Sequence, residues 1–338
     1  MKIIVPMAGR GSRLRPHSLT VPKPLLPVAG SPIVHQLVRE IAKVVDQPIT
    51  DIGFILGDPA FFGEEVEQSL LSLAEELGAK GHLFRQDRPL GTGHAIMCAK
   101  TLLEGPAVVA YADTLIRANL KLDPEADAVI WVKQVAQPEA FGVVQLNAEN
   151  QIVNLVEKPQ KFVSDLAVIG IYYFKQIERL KKALDAVVSQ KLEAGKEYQI
   201  NEGILAMMAE GAVFKPGTVT NWMDCGNPQA TLETNSEMLA LKHAEGESLM
   251  DPTASVENST IIPPCFLGKG VRIVDSTVGP GVSIGEGTQI HQSNLKHSLI
   301  QNHTVLNAVN CEKAMIGNHV HYNGNPTFVS IGDYAELK

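Results

Sequence analysis

The sequence predicts an α/β fold with a mostly parallel sheet, followed by a separate β-helix. Residues 1–243 alternate buried-strand and amphipathic-helix patterns, which is typical of a parallel sheet covered on both faces. Beyond residue 255, an aliphatic residue followed by glycine recurs at a hexapeptide step, which is typical of a β-helix. We therefore expect a first domain at 1–243, a linker at 244–254 and a β-helix domain at 255–338.

The elements of the first domain follow from periodicity. Continuous apolar runs predict buried strands at 52–56, 107–110 and 129–132, and residues 142–147 and 151–158 predict a hairpin. Apolar side chains that share one helical face predict two of the intervening helices, namely Val34, Leu37, Val38, Ile41 and Val45 in the first and Val66, Leu70, Leu73 and Leu77 in the second.

The repeats of the second domain vary in their spacing. Copies such as 267–271, 278–282, 284–288, 316–320 and 331–335 carry the aliphatic–glycine pair, and the frame breaks near 292–296 and 309–314. We interpret the breaks as insertions. His291, His297 and His303 are six residues apart, and we expect them on different faces of the prism rather than in one metal site.

Composition excludes several classes of function. The chain has 338 residues, a net charge of −8 and 45% hydrophobic residues, enough for one large domain and a smaller one. An acidic chain is a poor general binder of nucleic acid. The four cysteines are far apart, and no apolar run has membrane-spanning length. The N-terminus reads as a strand rather than a signal peptide. These features predict a cytoplasmic protein with no nucleic-acid or membrane partner.

The strongest functional signal lies in residues 3–27, where a buried-looking strand leads into a glycine loop. Gly9 and Gly11 let backbone N–H groups approach a ligand, and Arg13, Arg15 and Lys23 add positive charge. This combination predicts binding of a nucleotide polyphosphate. The loop lacks the Gly-Lys-Ser/Thr ending of a P-loop and the third glycine of a dinucleotide fingerprint.

The stretches 8–16 (AGRGSRLRP) and 22–28 (PKPLLPV) resemble the signature of the sugar-1-phosphate nucleotidyltransferases, which include the glucose-1-phosphate thymidylyl- and uridylyltransferases. The resemblance implies a Rossmann-like catalytic domain with, in many members, a left-handed β-helix. It also implies transfer of a nucleotidyl group from a nucleoside triphosphate to a sugar 1-phosphate, with Mg²⁺ as cofactor. Glucose 1-phosphate is the default sugar by analogy.

We predict the first two catalytic residues from their ability to neutralise the charge of a nucleoside triphosphate. Arg13 and Lys23 are expected to stabilise the triphosphate, because phosphoryl transfer depends mainly on positioning and electrostatics. Arg15 has no firm role, since it can instead pair with an acid.

A second nucleotide loop is implied by residues 86–95. Gln86 would read the base edge, which favours dTTP or UTP, and His94 would pack on the helix. The alternative is a strand–turn–helix connection with Thr92 as the helix cap. The expected nucleotide-binding residues are Ala8, Gly9, Gly11, Ser12, Arg13, Gln86, Pro89, Leu90, Gly91 and Thr92.

Two aspartates are expected to bind the metal. The resemblance pairs Asp113, which follows a predicted strand, with Asp224 in a Trp-x-Asp-x-Gly segment. Mg²⁺ is commonly held by one or two carboxylates and substrate phosphates. An alternative role for Asp113 is a helix N-cap. Ala112 stands where the family often has glycine.

The sugar phosphate is expected at a third group of residues. Segments resembling the family's Phe-Gly and Glu-Lys-Pro motifs imply that Glu157 accepts sugar hydroxyls and that Lys158, the third catalytic residue, holds the sugar phosphate. The expected sugar-phosphate-binding residues are Gly142, Glu157, Lys158 and Val168.

Two further functions stay open at this point. One is a bifunctional enzyme whose β-helix transfers an acetyl group to an amino sugar, although no acyl-CoA site stands out. The other is a regulatory subunit that binds nucleotide sugar without turnover. The β-helix is also expected to mediate self-association into a homo-oligomer.

Overall fold

The computed structural model describes residues 1–9, 11–45, 47–118, 122 and 125–324. It contains two compact units. The first unit comprises 1–26 and 32–226, and the second comprises 27–31 and the described residues from 227 onward. This division differs from the expected domain boundary at residue 243, which stays a prediction.

The first unit is an α/β domain around one mixed sheet. Four neighbouring strands, in the order β6-β1-β4-β5, are parallel, and β11 continues the sheet antiparallel to β6. From β11 the sheet branches to the β9–β10 hairpin and to β8, which pairs with β12. The helices and strands up to residue 226 are β1 (Lys2–Pro6), β2 (Pro27–Val28), β3 (Ser31–Pro32), α1 (Ile33–Val44), β4 (Asp51–Leu56), α2 (Glu64–Glu76), β5 (Lys80–Arg85), α3 (Thr92–Cys98), β6 (Ala107–Ala110), β7 (Thr114–Arg117), β8 (Ala128–Gln134), β9 (Gly142–Leu146), β10 (Ile152–Glu157), β11 (Leu166–Phe174), α4 (Ile177–Val188), α5 (Ile200–Ala209), β12 (Phe214–Thr218) and β13 (Asn221–Asp224).

Burial explains why these strands lie at the centre. The middle of β1 and the whole of β6 are fully buried, as expected for parallel strands with both faces covered. The predicted strands, the β9–β10 hairpin and the helices α1 and α2 are all present. The predicted fold class is therefore confirmed, with antiparallel strands added at one side of the parallel sheet.

A short two-stranded arm stands apart from the main sheet. In this arm β7 pairs antiparallel with β13, so that Thr114 lies opposite Asp224. The residue after β13 continues the pairing, because the backbone N–H of Cys225 donates to the carbonyl of Asp113 over 3.0 Å. The arm therefore joins a segment from the middle of the first unit to a segment at its end, and Thr114 and Trp222 in these segments are 108 residues apart in sequence.

The second unit contains a β-helix whose successive coils contribute short parallel strands to three sheets. Aliphatic side chains from successive coils fill its interior, and Ile273, Ile290 and Leu306 form one such column. Helix α6 packs against β19 and β2 in the same unit. Its elements are α6 (Pro228–Ala244), β14 (Ser255–Glu257), β15 (Thr260–Ile261), β16 (Cys265–Leu267), β17 (Arg272–Val274), β18 (Thr277–Val278), β19 (Val282–Ile284), β20 (Gln289–His291), β21 (Asn294–Lys296), β22 (Leu299–Ile300), β23 (Val305–Asn307), β24 (Asn310–Glu312), β25 (Met315–Ile316) and β26 (His321–Asn323).

The coils are shorter than three hexapeptides, which would span about 18 residues. Ser255 pairs with Arg272, a step of 17 residues, whereas Gln289 pairs with Val305, a step of 16. The interpretation of the frame breaks as insertions is therefore wrong, since the later coils have lost a residue. The repeat copy at 331–335 lies outside the described residues.

The three spaced histidines occupy different places on the coils. His291 ends β20, whereas His297 and His303 lie at separate corners with left-handed backbone (φ 44° and 53°). His303 stacks on His319 of the next coil, with ring centroids 5.3 Å apart. The step between coils, rather than the six-residue spacing, therefore decides which histidine rings meet.

Candidate active site

A cleft in the first unit has two compartments that share a wall. The larger has a volume of about 400 Å³ and the smaller about 230 Å³. Arg13, Tyr111 and Asp113 line both compartments. These three residues form the junction of the cleft, from which groups bound in either compartment can be reached.

The larger compartment collects the residues expected to bind nucleotide. It lies beyond the carboxyl ends of β1 and β6, where ligands of such sheets bind. Leu90 is the exception, because it does not line the compartment. Its carbonyl instead accepts the backbone N–H of Tyr198. The expected residues that line the compartment are Ala8, Gly9, Gly11, Ser12, Arg13, Lys23, Gln86, Pro89, Gly91, Thr92 and Asp113.

The glycine loop is shaped by close approach to Lys23. Gly11 has a left-handed backbone (φ 63°), and a Cβ there would lie 2.6 Å from the Cβ of Lys23. Its carbonyl accepts a hydrogen bond from Ser18 Oγ over 2.6 Å. Only glycine fits this position without displacing the lysine. Arg10 lies outside the described residues.

Lys23 and Asp113 form an ion pair inside the cleft. The Lys23 Nζ lies 2.9 Å from Asp113 Oδ2, and the lysine side chain is only 8% exposed. The sequence assigned these residues to separate tasks, triphosphate binding and metal binding. In the structure the two side chains neutralise each other. A bound triphosphate would have to draw Lys23 away from Asp113, and a metal ion would have to replace Lys23 beside Asp113.

Asp224 lies beside this pair. The β7–β13 arm delivers it, and its Oδ1 accepts the backbone N–H of Gly226 over 2.9 Å. Burial raises the pKa of Asp224, and the nearby charge of Asp113 raises this pKa further, against smaller opposing effects of Lys23 and Arg13. The two carboxylates therefore repel each other unless a cation joins them.

The carboxylate pair fits a divalent metal that is completed by substrate. Within the described ranges there is no group of three or more His, Cys, Asp or Glu side chains able to enclose a metal ion. Asp113 and Asp224 are hard oxygen donors, and two such carboxylates with phosphate oxygens suit Mg²⁺. The alternative N-cap role of Asp113 is wrong, because strand β7 follows it.

Gln86 is held by a network that the sequence did not reveal. Its Nε2 donates to the carbonyl of Gly91 and to Nδ1 of His94, each over 3.0 Å. Burial lowers the pKa of His94, which keeps the ring neutral and its Nδ1 able to accept. His94 therefore orients the amide, and the expectation that it only packs on the helix was incomplete.

A segment before α5 packs over the second loop, and no sequence motif marks it. Thr92 Oγ1 donates to Gln199 Oε1 over 3.1 Å and accepts the backbone N–H of Ile200 over 3.0 Å. Gly91 caps α3, so the alternative of Thr92 as the cap is wrong. A Cβ on Gly91 would lie 2.5 Å from the carbonyl of Tyr198, which explains the glycine.

The smaller compartment collects the residues expected to bind the sugar phosphate. Gly142 pairs with Glu157 across the β9–β10 hairpin, and a Cβ on Gly142 would lie 2.9 Å from Glu157 Oε2. Asn201 Nδ2 donates to the same carboxylate oxygen over 3.4 Å. The expected residues that line this compartment are Gly142, Glu157, Lys158, Val168, Arg13, Asp113 and Asp224.

Lys158 and Trp222 form opposite parts of this wall. Lys158 has a left-handed backbone (φ 44°), unusual for a residue with a side chain, and its N–H donates to the carbonyl of Phe141 over 3.0 Å. Trp222 Nε1 donates to Thr114 Oγ1 over 2.6 Å, and its ring meets Phe141 edge-on. The indole therefore ties the sugar-side wall to the arm that carries Asp224.

Tyr111 forms the floor under the junction. Its ring meets Tyr172 edge-on at 5.9 Å between centroids and lies over Gly170, where a Cβ would come within 3.0 Å of the ring. Burial raises the pKa of both tyrosine hydroxyls, so they stay protonated at neutral pH. No sequence motif marks Tyr111, because it reads as part of a buried strand.

Comparison with known proteins assigns the family. The model of the family described as nucleotidyl transferase matches residues 2–240. A protein named glucose-1-phosphate thymidylyltransferase from Streptomyces antibioticus is 30% identical, with 100% of this chain and 99% of the relative covered. A bifunctional protein GlmU from Methanococcus maripaludis is 25% identical, covering 78% of this chain and 60% of that protein.

A solved structure is similar as well. A crystal structure of a Bacillus anthracis protein, provisionally assigned as a glucose-1-phosphate thymidylyltransferase and complexed with sucrose, has a TM-score of 0.60 at 25% identity. The similarity covers 70% of this chain and 94% of that one. The family match includes the glycine loop and both aspartates of the cleft. The recognition made from the opening motif is thus confirmed: the chain belongs to the nucleotidyl transferase family and is a nucleotidyltransferase.

Proposed function

We propose that the protein transfers a nucleotidyl group from dTTP or UTP to glucose 1-phosphate, releasing pyrophosphate. One observation carries this proposal: a nucleotide-sized compartment and a smaller compartment meet at Arg13 and Asp113. Two substrates bound side by side in this cleft would meet at that junction. The names of the thymidylyltransferase relatives support the choice of reaction.

The reaction we propose is one in-line displacement. An oxygen of the sugar phosphate attacks the α-phosphorus, the bond to the β-phosphate oxygen breaks, and pyrophosphate leaves. No side chain acts as a covalent nucleophile. The protein binds, orients and neutralises two anionic substrates, which is the main task of catalysis in such transfers.

Three positively charged side chains each neutralise a different phosphate group of the substrates. Arg13, at the junction, donates to the phosphate under attack, and its planar guanidinium suits two oxygens at once. Lys23 leaves Asp113 when the triphosphate arrives and stabilises the charge of the departing pyrophosphate. Lys158, exposed in the smaller compartment, holds the sugar phosphate against the repulsion of the triphosphate.

Asp113 and Asp224 are the residues that would hold Mg²⁺. The ion would supply Lewis-acid polarisation of the phosphoryl oxygens and hold them in place. A cation at this pair would also offset the repulsion by Asp113, which adds to the effect of burial in raising the pKa of Asp224.

Base and sugar recognition follow from fixed side chains. Because Nε2 of Gln86 is engaged by Gly91 and His94, its Oε1 is left to accept the imide N–H of a thymine or uracil ring. Glu157, with Asn201 beside it, accepts sugar hydroxyls. Both assignments rest on the polar groups that face each compartment.

A substrate panel tests this proposal. The purified protein is incubated with Mg²⁺ and every pair of a nucleoside triphosphate and a sugar 1-phosphate, and pyrophosphate release is followed. We expect the highest kcat/KM with dTTP or UTP and glucose 1-phosphate. Release only with purine nucleotides would contradict the role of Gln86, and no release with any pair would contradict the proposed reaction.

The two rival functions have their own tests. A GlmU-type relative motivates an assay with acetyl-CoA and glucosamine 1-phosphate, where sustained turnover would establish a second activity. A regulatory subunit without turnover is disfavoured because the charged residues Arg13, Lys23, Asp113, Lys158 and Asp224 all face one cleft.

The proposal also covers the cellular location of the protein and its self-association. In the described segments, no helix is both long and apolar enough to cross a membrane. All four cysteines are described, and no disulfide joins them. We propose a cytoplasmic enzyme that self-associates through its β-helix, which sedimentation of the full chain would test.

A further inference from the structure

A second cavity in the first unit lies next to the nucleotide compartment. Its volume is about 300 Å³, and it lies beyond the carboxyl ends of β1, β4 and β5. It shares Ala8, Gly9, Gln86 and Pro89 with the nucleotide compartment. The two cavities therefore stand on opposite sides of the wall that is expected to read the base.

The wall is held rigidly by buried contacts. A Cβ on Gly57 would lie 2.5 Å from the carbonyl of Ala8, so the loop after β4 and the glycine loop touch through backbone. Arg85 fixes the outer rim, donating to the carbonyls of Gly57 over 2.8 Å and Phe62 over 2.9 Å. Ser18, which lines the cavity, donates to the carbonyl of Gly11. The cavity is therefore connected by hydrogen bonds to the glycine loop.

The lining has the chemistry of a nucleotide site. Phe61, which is half-buried and has proline neighbours in the lining, offers a face against which a planar ring can stack. Asp58 and Asp87 offer acceptors for ring N–H groups. Arg15 is exposed at the cavity, and no described residue forms an ion pair with it, so its guanidinium is available to a phosphate.

We propose that this cavity is a second ligand site that binds a nucleoside monophosphate, with the base against Phe61 and the phosphate on Arg15. The site gives a role to the arginine that the opening motif left without one. It adjoins the nucleotide compartment across shared residues, and its existence does not depend on which triphosphate or sugar the enzyme uses. Because Gln86 and Gly9 form the shared wall, occupancy of this site changes the KM for the triphosphate.

Binding with the catalytic compartment blocked tests the proposal. The full chain is saturated with Mg²⁺ and the α,β-methylene analogue of UTP, and equilibrium dialysis then measures binding of labelled UMP or AMP. We expect about one further mole bound per chain for at least one of the two probes. No further binding of either probe to the wild type overturns the proposal, while the substrate panel still tests the reaction independently.

Variants separate a built site from weak general binding. Arg15→Ala should weaken the additional binding about tenfold or more, as expected for loss of a charge-assisted contact. Phe61→Ala, a second variant that leaves the charge intact, should also weaken it. Arg88→Ala is the matched control, because this exposed arginine lies in the neighbouring loop and lines neither cavity. Equal binding by Arg15→Ala and Arg88→Ala, with both variants folded by circular dichroism, would overturn the assignment.

Discussion

The two compartments of the cleft are built in different ways. The nucleotide compartment is made largely of backbone: glycine loops at the ends of parallel strands, held by close contacts such as that between Gly11 and Lys23. The sugar compartment is made of side chains from an antiparallel hairpin and from distant segments, such as Glu157, Trp222 and Asn201. The first compartment is therefore specified by backbone conformation and the second by side-chain chemistry. Substitutions that alter backbone shape should therefore harm the first more, whereas changes of functional groups should harm the second.

The largest effect is expected at Asp224, which lines the smaller compartment beside the junction residue Asp113. Asp224→Asn should lower kcat by about 10³-fold, because it removes a charge aimed at the reacting groups. The amide oxygen can still accept the Gly226 N–H, so the fold should persist. Steady-state kinetics with saturating Mg²⁺ measures the loss, and a rate within threefold of the wild type would exclude Asp224 from the metal site.

The same variant should be more stable than the wild type without metal. Because burial raises the pKa of Asp224, the folded state binds this proton more tightly than the unfolded state does. The wild type therefore loses stability as pH rises through the raised pKa, and the amide escapes this loss. Thermal unfolding at pH 7 in EDTA should give a Tm for Asp224→Asn at or above that of the wild type. A clearly lower Tm would mean that the carboxylate is structural.

The next effect concerns the ion pair within the cleft. Lys23→Met should lower kcat/KM by about 10²-fold, because the side chain no longer stabilises the leaving pyrophosphate. It also leaves Asp113 without its ammonium partner, so Mg²⁺ should bind the nucleotide-free variant more tightly than it binds the wild type. Calorimetric titration with Mg²⁺ checks the second point. Unchanged metal affinity would show that the ammonium does not compete with the cation.

Backbone shape is tested by a matched pair of glycines. Gly11→Ala and Gly78→Ala both place a side chain on left-handed backbone, with φ values of 63° and 69°. Only at Gly11 does the new Cβ meet Lys23, whereas Gly78 has open space around it. Gly78→Ala should lose about 1 kcal/mol of unfolding free energy, and Gly11→Ala should lose more, because its new Cβ also displaces Lys23. Only Gly11→Ala should raise the KM for the triphosphate, by about tenfold or more, and equal KM values in the two variants would contradict the role of this contact.

The smallest effect is expected in the sugar compartment. Gly142→Ala directs a Cβ at Glu157 Oε2, the end of a flexible side chain, so the carboxylate shifts at little cost in stability. We expect about a tenfold rise in KM for the sugar 1-phosphate, which is the cost of one weakened charge-assisted hydrogen bond. The KM for the triphosphate should stay unchanged. An equal rise in both KM values would show that the compartments are not specified independently.

The same contrast explains what the sequence could predict. The nucleotide residues fall in two short segments, residues 8–13 and 86–92, and so a motif reveals each of them. The contribution of Asn201 and the contact of Tyr198 with Leu90 come from a segment more than a hundred residues later with no motif of its own. Such long-range contacts are set by tertiary packing, which local patterns do not report.

The sequence also could not predict which charged side chains pair with each other. Lys23 and Asp113 were both identified, but their ion pair depends on the geometry of the cleft rather than on residue type. The β-helix was predicted from its aliphatic–glycine pairs, whereas its coils of 17 and 16 residues follow from strand pairing. In the sequence alone, a coil that has lost one residue and a coil that has gained residues both appear as a break in the repeat spacing.

The central claim is that both substrates bind together and react directly, without a covalent intermediate on the protein. The stereochemistry at phosphorus tests it most directly. The Sp diastereomer of α-thio-dTTP, or of α-thio-UTP if UTP is the substrate, is converted with glucose 1-phosphate, and the configuration of the product is read by ³¹P NMR. A single in-line displacement predicts inversion at the α-phosphorus. Retention would require two displacements through an enzyme-bound nucleotidyl group and would contradict the account.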